Sequence, residues 1–227
     1  MKSILRLFFR LLYHQFAFTY DLVAAAVSFN RWKDWVESVI PFIEGKRVLE
    51  IGHGPGHLQR VLLSLGLMAV GIDESSQMAR LAKRNLTGRS RSRLSRQASF
   101  SALSRPAYTQ INLTRGVGQH LPFPDESFET ILATFPTEYI TDPGTLAEVK
   151  RCLSNGGRFI VLPVAWPKNQ LLDWLFKVTN QAPTEALEMV KSKLRKPFAG
   201  AGFETEVRTL DVQSGILLLV LARKPSR

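Results

Sequence analysis

The chain has 227 residues, 45% of them hydrophobic, with 30 Lys and Arg against 19 Asp and Glu and a formal net charge of +11. That length and apolar share suit one compact α/β unit with a sizeable core and exclude a disordered or low-complexity chain. A single cysteine, Cys152, excludes an intramolecular disulfide and fits a reducing compartment.

The first predicted element is an N-terminal helix in which Lys2, Arg6 and Arg10 make a narrow basic stripe on an otherwise apolar segment. The arginines interrupt every apolar window, so no run reaches the ~18 residues of a transmembrane span. Arg6 and Arg10 also fall inside what would be the apolar region of a signal peptide. Two readings stay open for this helix: a cap packed over a ligand site, or an interfacial anchor on an anionic membrane. Residues 1–40 are read as an N-terminal helical cap and residues 41–227 as the main domain.

The most informative run follows: Val48-Leu49-Glu50-Ile51-Gly52-His53-Gly54-Pro55-Gly56-His57-Leu58. A strand ends in an acid, a turn holds three glycines, and a helical pattern begins (Leu58, Val61, Leu62, Leu65). Glycines let a backbone approach a ligand closely, and the helix N-terminus presents free N–H groups. The spacing fits no G-x-G-x-x-G register, because His57 and Gln59 stand where the third glycine would be. Glu50 at the strand end would repel a pyrophosphate and suits a ligand carrying an ammonium group instead. The next strand, Met68–Asp73, ends in an acid placed to accept the hydroxyls of a ribose.

After a second helix, Ser75 to Pro124 contains no acidic side chain and holds nine Lys and Arg. Within it, residues at about 87–107 are biased to Ser and Arg and too poor in apolar residues to pack. They are read as a basic loop inserted before a third strand near Gln110–Gly118. A fourth strand is expected at Phe128–Phe135 and a helix after Asp142-Pro143, with Asp142 as its cap. A fifth strand is expected at Arg158–Val164, then helices over residues 168–179 and 184–199. Glu204–Val212 and Gly215–Lys224 read as a closing hairpin. The fold class is therefore α/β: a Rossmann-like, doubly wound, mostly parallel seven-stranded sheet with helices on both faces and a closing antiparallel hairpin. No metal-ligand spacing is present; His53 and His57 straddle the glycine turn in a poor arrangement for zinc.

The pattern Glu50-x-Gly52-x-Gly54-x-Gly56 resembles the first motif of the class I S-adenosylmethionine-dependent methyltransferases. Three further segments extend the resemblance in the right order. Gly71 to Met78 is similar to the second motif, Leu121-Pro122-Phe123-Pro124-Asp125-Glu126-Ser127-Phe128 to the approach to strand 4, and Leu146 to Phe159 to the junction into strand 5. Together they resemble the methyltransferase type 11 group and the quinone-biosynthesis C-methyltransferases. Phe16 to Val23, followed by Arg31-Trp32-Lys33-Asp34-Trp35, is similar to the entry segment of those quinone enzymes.

The resemblance implies S-adenosyl-L-methionine as cofactor, cradled by Glu50, Gly52, His53, Gly54 and Gly56. It implies Asp73 and Glu74 at the ribose and Met78 near the adenine, with Thr134 at the strand-4 exit. Many relatives have an acid for the adenine amino group where this chain has Val117, so Gly118 and Gln119 are expected to take that role. By resemblance Tyr20 lies near the sulfonium, where an aromatic face attracts the cation; helix–helix packing is the competing reading. No residue is singled out as a base: Thr134, Thr137, Glu138, Tyr139, His53 and His57 are candidates. The expected activity is methyl transfer to a small or lipophilic molecule in the cytoplasm, with peripheral contact at the inner membrane face as a further expectation. The alternatives are a nucleic-acid or protein methyltransferase, or a non-catalytic cofactor-binding relative. Thr134-Phe135-Pro136-Thr137 stands where a nucleic-acid enzyme carries Asn/Asp-Pro-Pro-Tyr/Phe, which argues against nucleic acid.

Overall fold

A computed structural model of the protein describes residues 32–87, 111–167 and 183–226. The N-terminal basic helix, Tyr20, nearly all of the Ser/Arg loop and the helix expected over 168–179 lie outside the described residues. Seven strands form one sheet: β1 (Arg47–Ile51), β2 (Met68–Asp73), β3 (Asn112–Arg115), β4 (Phe128–Thr134), β5 (Leu153–Pro167), β6 (Glu204–Val212) and β7 (Gly215–Arg223). Their order is β3-β2-β1-β4-β5-β7-β6. The first five run parallel, and β7 is antiparallel to both β5 and β6. Five α-helices are described: α1 (Trp32–Glu37), α2 (His57–Ser64), α3 (Ser76–Leu86), α4 (Pro143–Cys152) and α5 (Pro183–Gly200).

Strand alternation divides the core into two layers. Leu49, Ile51, Ile131, Ala133, Phe159 and Val161 point to one face, where Leu146, Val149 and Cys152 of α4 and Phe198 of α5 cover them. Val48, Leu132, Ile160 and Leu162 point to the other, under Trp35 and Val36 of α1 and Leu58 and Leu62 of α2. Cys152 is a buried core thiol whose pKa burial raises to about 11, which keeps it protonated and inert. Residues 32–40 pack into the second layer, and Trp35 Nε1 donates to Ser214 Oγ, at the tip of the β6–β7 hairpin, at 2.8 Å.

Most expected boundaries agree with the structure to within a few residues, and the differences at β3, β4 and β5 have physical causes. β4 stops at Thr134 because Phe135 takes a φ of +49°, which ends extended backbone. β3 is shorter than expected: at Gly116 the chain leaves the strand, its N–H still bonded to Asp73 O at 3.2 Å. β5 is longer than expected, since β7 pairs with it as far as Pro167, with a register shift between Val161 and Val164. α4 starts at Pro143, and the Asp142 carboxylate accepts from Thr145 N at 3.0 Å.

β1 lies between β2 and β4, so the crossovers leave it in opposite directions. The crevice outside the carboxyl ends of β1, β2 and β4 is therefore the place where an open α/β sheet binds its ligand.

Candidate active site

Three segments close around that crevice. The first is the turn after β1. Gly52 (φ +76°) and Gly54 (φ +50°) have backbone conformations that side chains rarely adopt. A Cβ on Gly52 would meet Tyr139 Oη at 2.7 Å, whereas one on Gly54 would meet nothing within 4 Å. The turn is tied to β2 by Gly52 N–H donating to Ile72 O at 2.7 Å.

The second segment is the end of β2. Asp73 accepts one backbone N–H on each oxygen, Gly54 N on Oδ2 at 2.9 Å and Ser75 N on Oδ1 at 2.8 Å. A carboxylate has about four lone-pair positions, so capacity for further donors remains. The third segment comes from β3 and β4: Arg115 to Gln119, and Thr134 to Thr137 with Tyr139. These groups line one cavity of about 720 Å³ together with Gly52, Asp73, Glu74 and Ser75, a volume suited to a small-molecule ligand.

The structure thus brings Gly52, Asp73, Glu74, Gly118, Gln119 and Thr134 to one cavity wall, with Thr137 and Tyr139 from the strand-4 exit. Other expected residues stand behind it. Gly56 (φ +78°) caps α2, and a Cβ there would meet Ala82 Cβ at 3.0 Å, so this glycine lets α2 and α3 approach. Met78 is half-buried in the first turn of α3, where its N–H bonds Ser75 Oγ at 3.3 Å. His57 opens α2; burial, with Arg60 and Lys33, lowers its pKa.

Glu50 and His53 form a buried layer beneath the turn. Glu50 is 2% exposed, and desolvation raises its pKa to about 8, against the Gln59 hydrogen bond and with help from the Asp73 charge. His53 is 3% exposed. Its Nδ1 faces Gly54 O at 2.8 Å, which assigns the proton to Nδ1. Nε2 is buried with no partner among the described residues. Tyr139 closes the layer from above, with its hydroxyl facing Ile51 O at 3.5 Å and its pKa raised by burial and by Asp73 and Glu50.

Two contributors were not singled out for the site by sequence. Gln59 is 1% exposed and donates to Glu50 Oε2 at 2.9 Å and to Val70 O at 3.2 Å. Its signal was an amide beside Leu58 on the sheet-facing side of α2. Phe135 lines the cavity in a strained backbone and stacks on Trp32 with centroids 4.2 Å apart. A bulky residue at positive φ is held only by its surroundings, and such strain clusters at functional sites.

Residues 49–161 match the methyltransferase domain family. A demethylmenaquinone methyltransferase of Symbiobacterium thermophilum is 26% identical over 178 residues, covering 74% of this chain and 64% of that one. The same-named protein of Tropheryma whipplei is 28% identical, with 60% of its length spanned. The ubiquinone/menaquinone biosynthesis C-methyltransferase UbiE of Azotobacter vinelandii is 28% identical, covering 94% of this chain and 88% of that one. Among solved structures, the YcgJ protein of Bacillus subtilis superposes with a TM-score of 0.56 at 17% identity, over 86% of this chain and 99% of that one. Magnesium protoporphyrin IX methyltransferase of Synechocystis PCC 6803, solved with bound SAH, superposes with a TM-score of 0.53 at 16% identity, over 85% and 83%. The sheet and helices described above are this same α/β methyltransferase fold.

Proposed function

Because this chain belongs, through residues 49–161, to the methyltransferase domain family, we propose that it transfers a methyl group from S-adenosylmethionine to a small lipophilic acceptor. The observation that carries the reading is the cavity at the switch point. It is walled by Gly52 of the glycine turn and by Asp73, whose oxygens keep accepting capacity. Those features fit a nucleoside with a cationic tail: Asp73 for the ribose, the segment from Val117 to Gln119 for the base, and Gly52 with Glu50 for the amino acid end.

When bound, that cofactor supplies a methyl carbon already activated by positive sulfur. What remains for the chain is to align an acceptor and keep water out. Phe135, Pro136 and the Trp32 ring stacked on Phe135 give the β4 side an apolar character. The names of the relatives, quinone-biosynthesis methyltransferases, support an acceptor of lipophilic class. Tyr139 stays protonated at neutral pH and serves as a hydrogen-bond donor rather than a base.

Calorimetry with S-adenosylhomocysteine and with NAD tests the reading. The expected result is micromolar or tighter binding of the first and none of the second. Asp73→Ala should weaken S-adenosylhomocysteine by ~1–3 kcal/mol through lost charge-assisted bonds. Tight NAD binding with no response to S-adenosylhomocysteine overturns the reading.

A further inference from the structure

Gln59 occupies a position that neither the hydrophobic core nor the cavity wall explains. It projects from α2 toward the sheet, between Leu58 and Leu62, which are core residues. Both hydrogens of its amide are used, one on Glu50 Oε2 at 2.9 Å and one on Val70 O at 3.2 Å. The side chain is packed over Gly71, where an added Cβ would meet Gln59 Cδ at 3.2 Å, His53 Cδ2 at 3.0 Å and Leu113 Cδ2 at 2.9 Å. The amide is thus fixed between the backbone of β2 and a single carboxyl. An apolar residue would fill the same space without needing two polar partners, so the arrangement serves the carboxyl.

We propose that Gln59 is a positioning residue for the ligand's amino group: it holds the Glu50 carboxyl at the base of the glycine turn and favours its charged form once a cation is present. This rests on the reading of the site as one for S-adenosylmethionine. The groups facing Glu50 leave few other ways to hold a charge. Gln59 of α2 is neutral, Asp73 at the end of β2 is a like charge, and Tyr139 after β4 is a buried phenol. His53 in the turn has its Nδ1 turned to Gly54 O at 2.8 Å. Among the described residues no Lys or Arg pairs with Glu50. In the ligand-free protein burial keeps this carboxyl protonated at neutral pH. A ligand bearing an ammonium group therefore binds with release of a proton from Glu50, and the Gln59 amide is the donor that stabilises the anion left behind.

Two ligands tell this role apart from plain packing. S-adenosylhomocysteine carries the amino acid end, whereas 5′-methylthioadenosine shares the adenosine and the thioether but has no ammonium. Binding of each is measured by calorimetry from pH 6 to pH 9, in buffers of different ionisation enthalpy, for the wild type, Gln59→Leu and Gln59→Asn. The wild type should release up to one proton with S-adenosylhomocysteine and none with 5′-methylthioadenosine. Gln59→Leu should weaken S-adenosylhomocysteine roughly tenfold and move the pH for half-maximal affinity upward, while changing 5′-methylthioadenosine by less than about twofold. Gln59→Asn, too short to reach Glu50, should behave like the Leu variant. Equal loss for both ligands, or no loss for either, overturns the proposal and leaves Gln59 a packing residue; so does failure of both variants to fold. A wild-type protein that binds 5′-methylthioadenosine but not S-adenosylhomocysteine overturns this inference and leaves the nucleoside site standing. Binding of neither removes the reading of the site and this inference with it.

Discussion

Glu50 shows how one buried group sets a pH dependence. Its pKa in the folded protein is about 8, against an ordinary value of 4.5. Because the value is raised, the folded state holds a proton that the unfolded chain gives up. The associated stability is fully present below about 4.5, falls through the interval between the two values and is lost above about 8. The slope within that interval reaches ~1.4 kcal/mol per pH unit. Glu50→Gln mimics the protonated form, so the variant should unfold with a flatter pH dependence between pH 5 and pH 8 and be the more stable protein at the upper end. Urea titrations at three pH values measure this, and parallel slopes for the two proteins would show that Glu50 titrates like an exposed carboxyl. Asp73, Gly52 and the turn were legible in the sequence because their roles depend on short-range order: strand, acid, glycine, helix. The depth of Glu50 was not, since it depends on Gln59 and Tyr139, and Tyr139 arrives 89 positions later.

Two motifs read separately in the sequence turn out to be one clamp. The segment Leu121–Asp125 and the end of α4 are joined by Arg151, which donates to Leu121 O, Phe123 O, Asp125 Oδ1 and both oxygens of Glu148. Glu148 in turn accepts from Leu121 N at 2.9 Å and has its pKa lowered by Arg151. A planar fork with five donors suits this set of acceptors, and an ammonium does not. Arg151→Ala should cost roughly 2–3 kcal/mol, and Arg151→Lys should recover less than half of it. Thermal unfolding checks both, and full recovery by Lys would reduce the clamp to simple charge pairing. The elements themselves were largely legible: apolar periodicity, the Asp142-Pro143 start and the Gln213-Ser214-Gly215 turn are local signals. The end of β4 was placed one residue late because nothing local marks Phe135 for positive φ. That conformation is held by Trp32, Trp35 and a bond to Leu162 O at 2.7 Å.

At the scale of the molecule, α3 is followed by β3 across the Ser/Arg-rich segment, and Val70 to Asp73 pair with Asn112 to Arg115 in continuous parallel register. The length of a connection adds closure entropy only slowly. Replacing residues 88–104 with a short Gly/Ser linker should therefore change stability by about 1 kcal/mol or less and leave S-adenosylhomocysteine affinity unchanged. Loss of folding or of the ligand would show that the segment belongs to the core. Retention of both with loss of activity would assign its basic residues to acceptor recognition.

The sheet order also fixes when this fold can come into being. β7 stands inside the sheet, flanked by β5 and β6, although its residues follow those of every other strand. During synthesis β5 therefore leaves the ribosome with one long side unpaired, and the β6 segment has nothing to join. Both wait until residues 215–223 emerge and slot between them. The nascent chain carries an exposed apolar edge through this interval, a state that invites misassembly and engagement by chaperones. A message cut short within the codons for β7 yields a chain lacking an interior strand rather than a trimmed margin, one that quality control should remove rather than tolerate. The glycine turn, complete long before, gains a stable platform only at that late step.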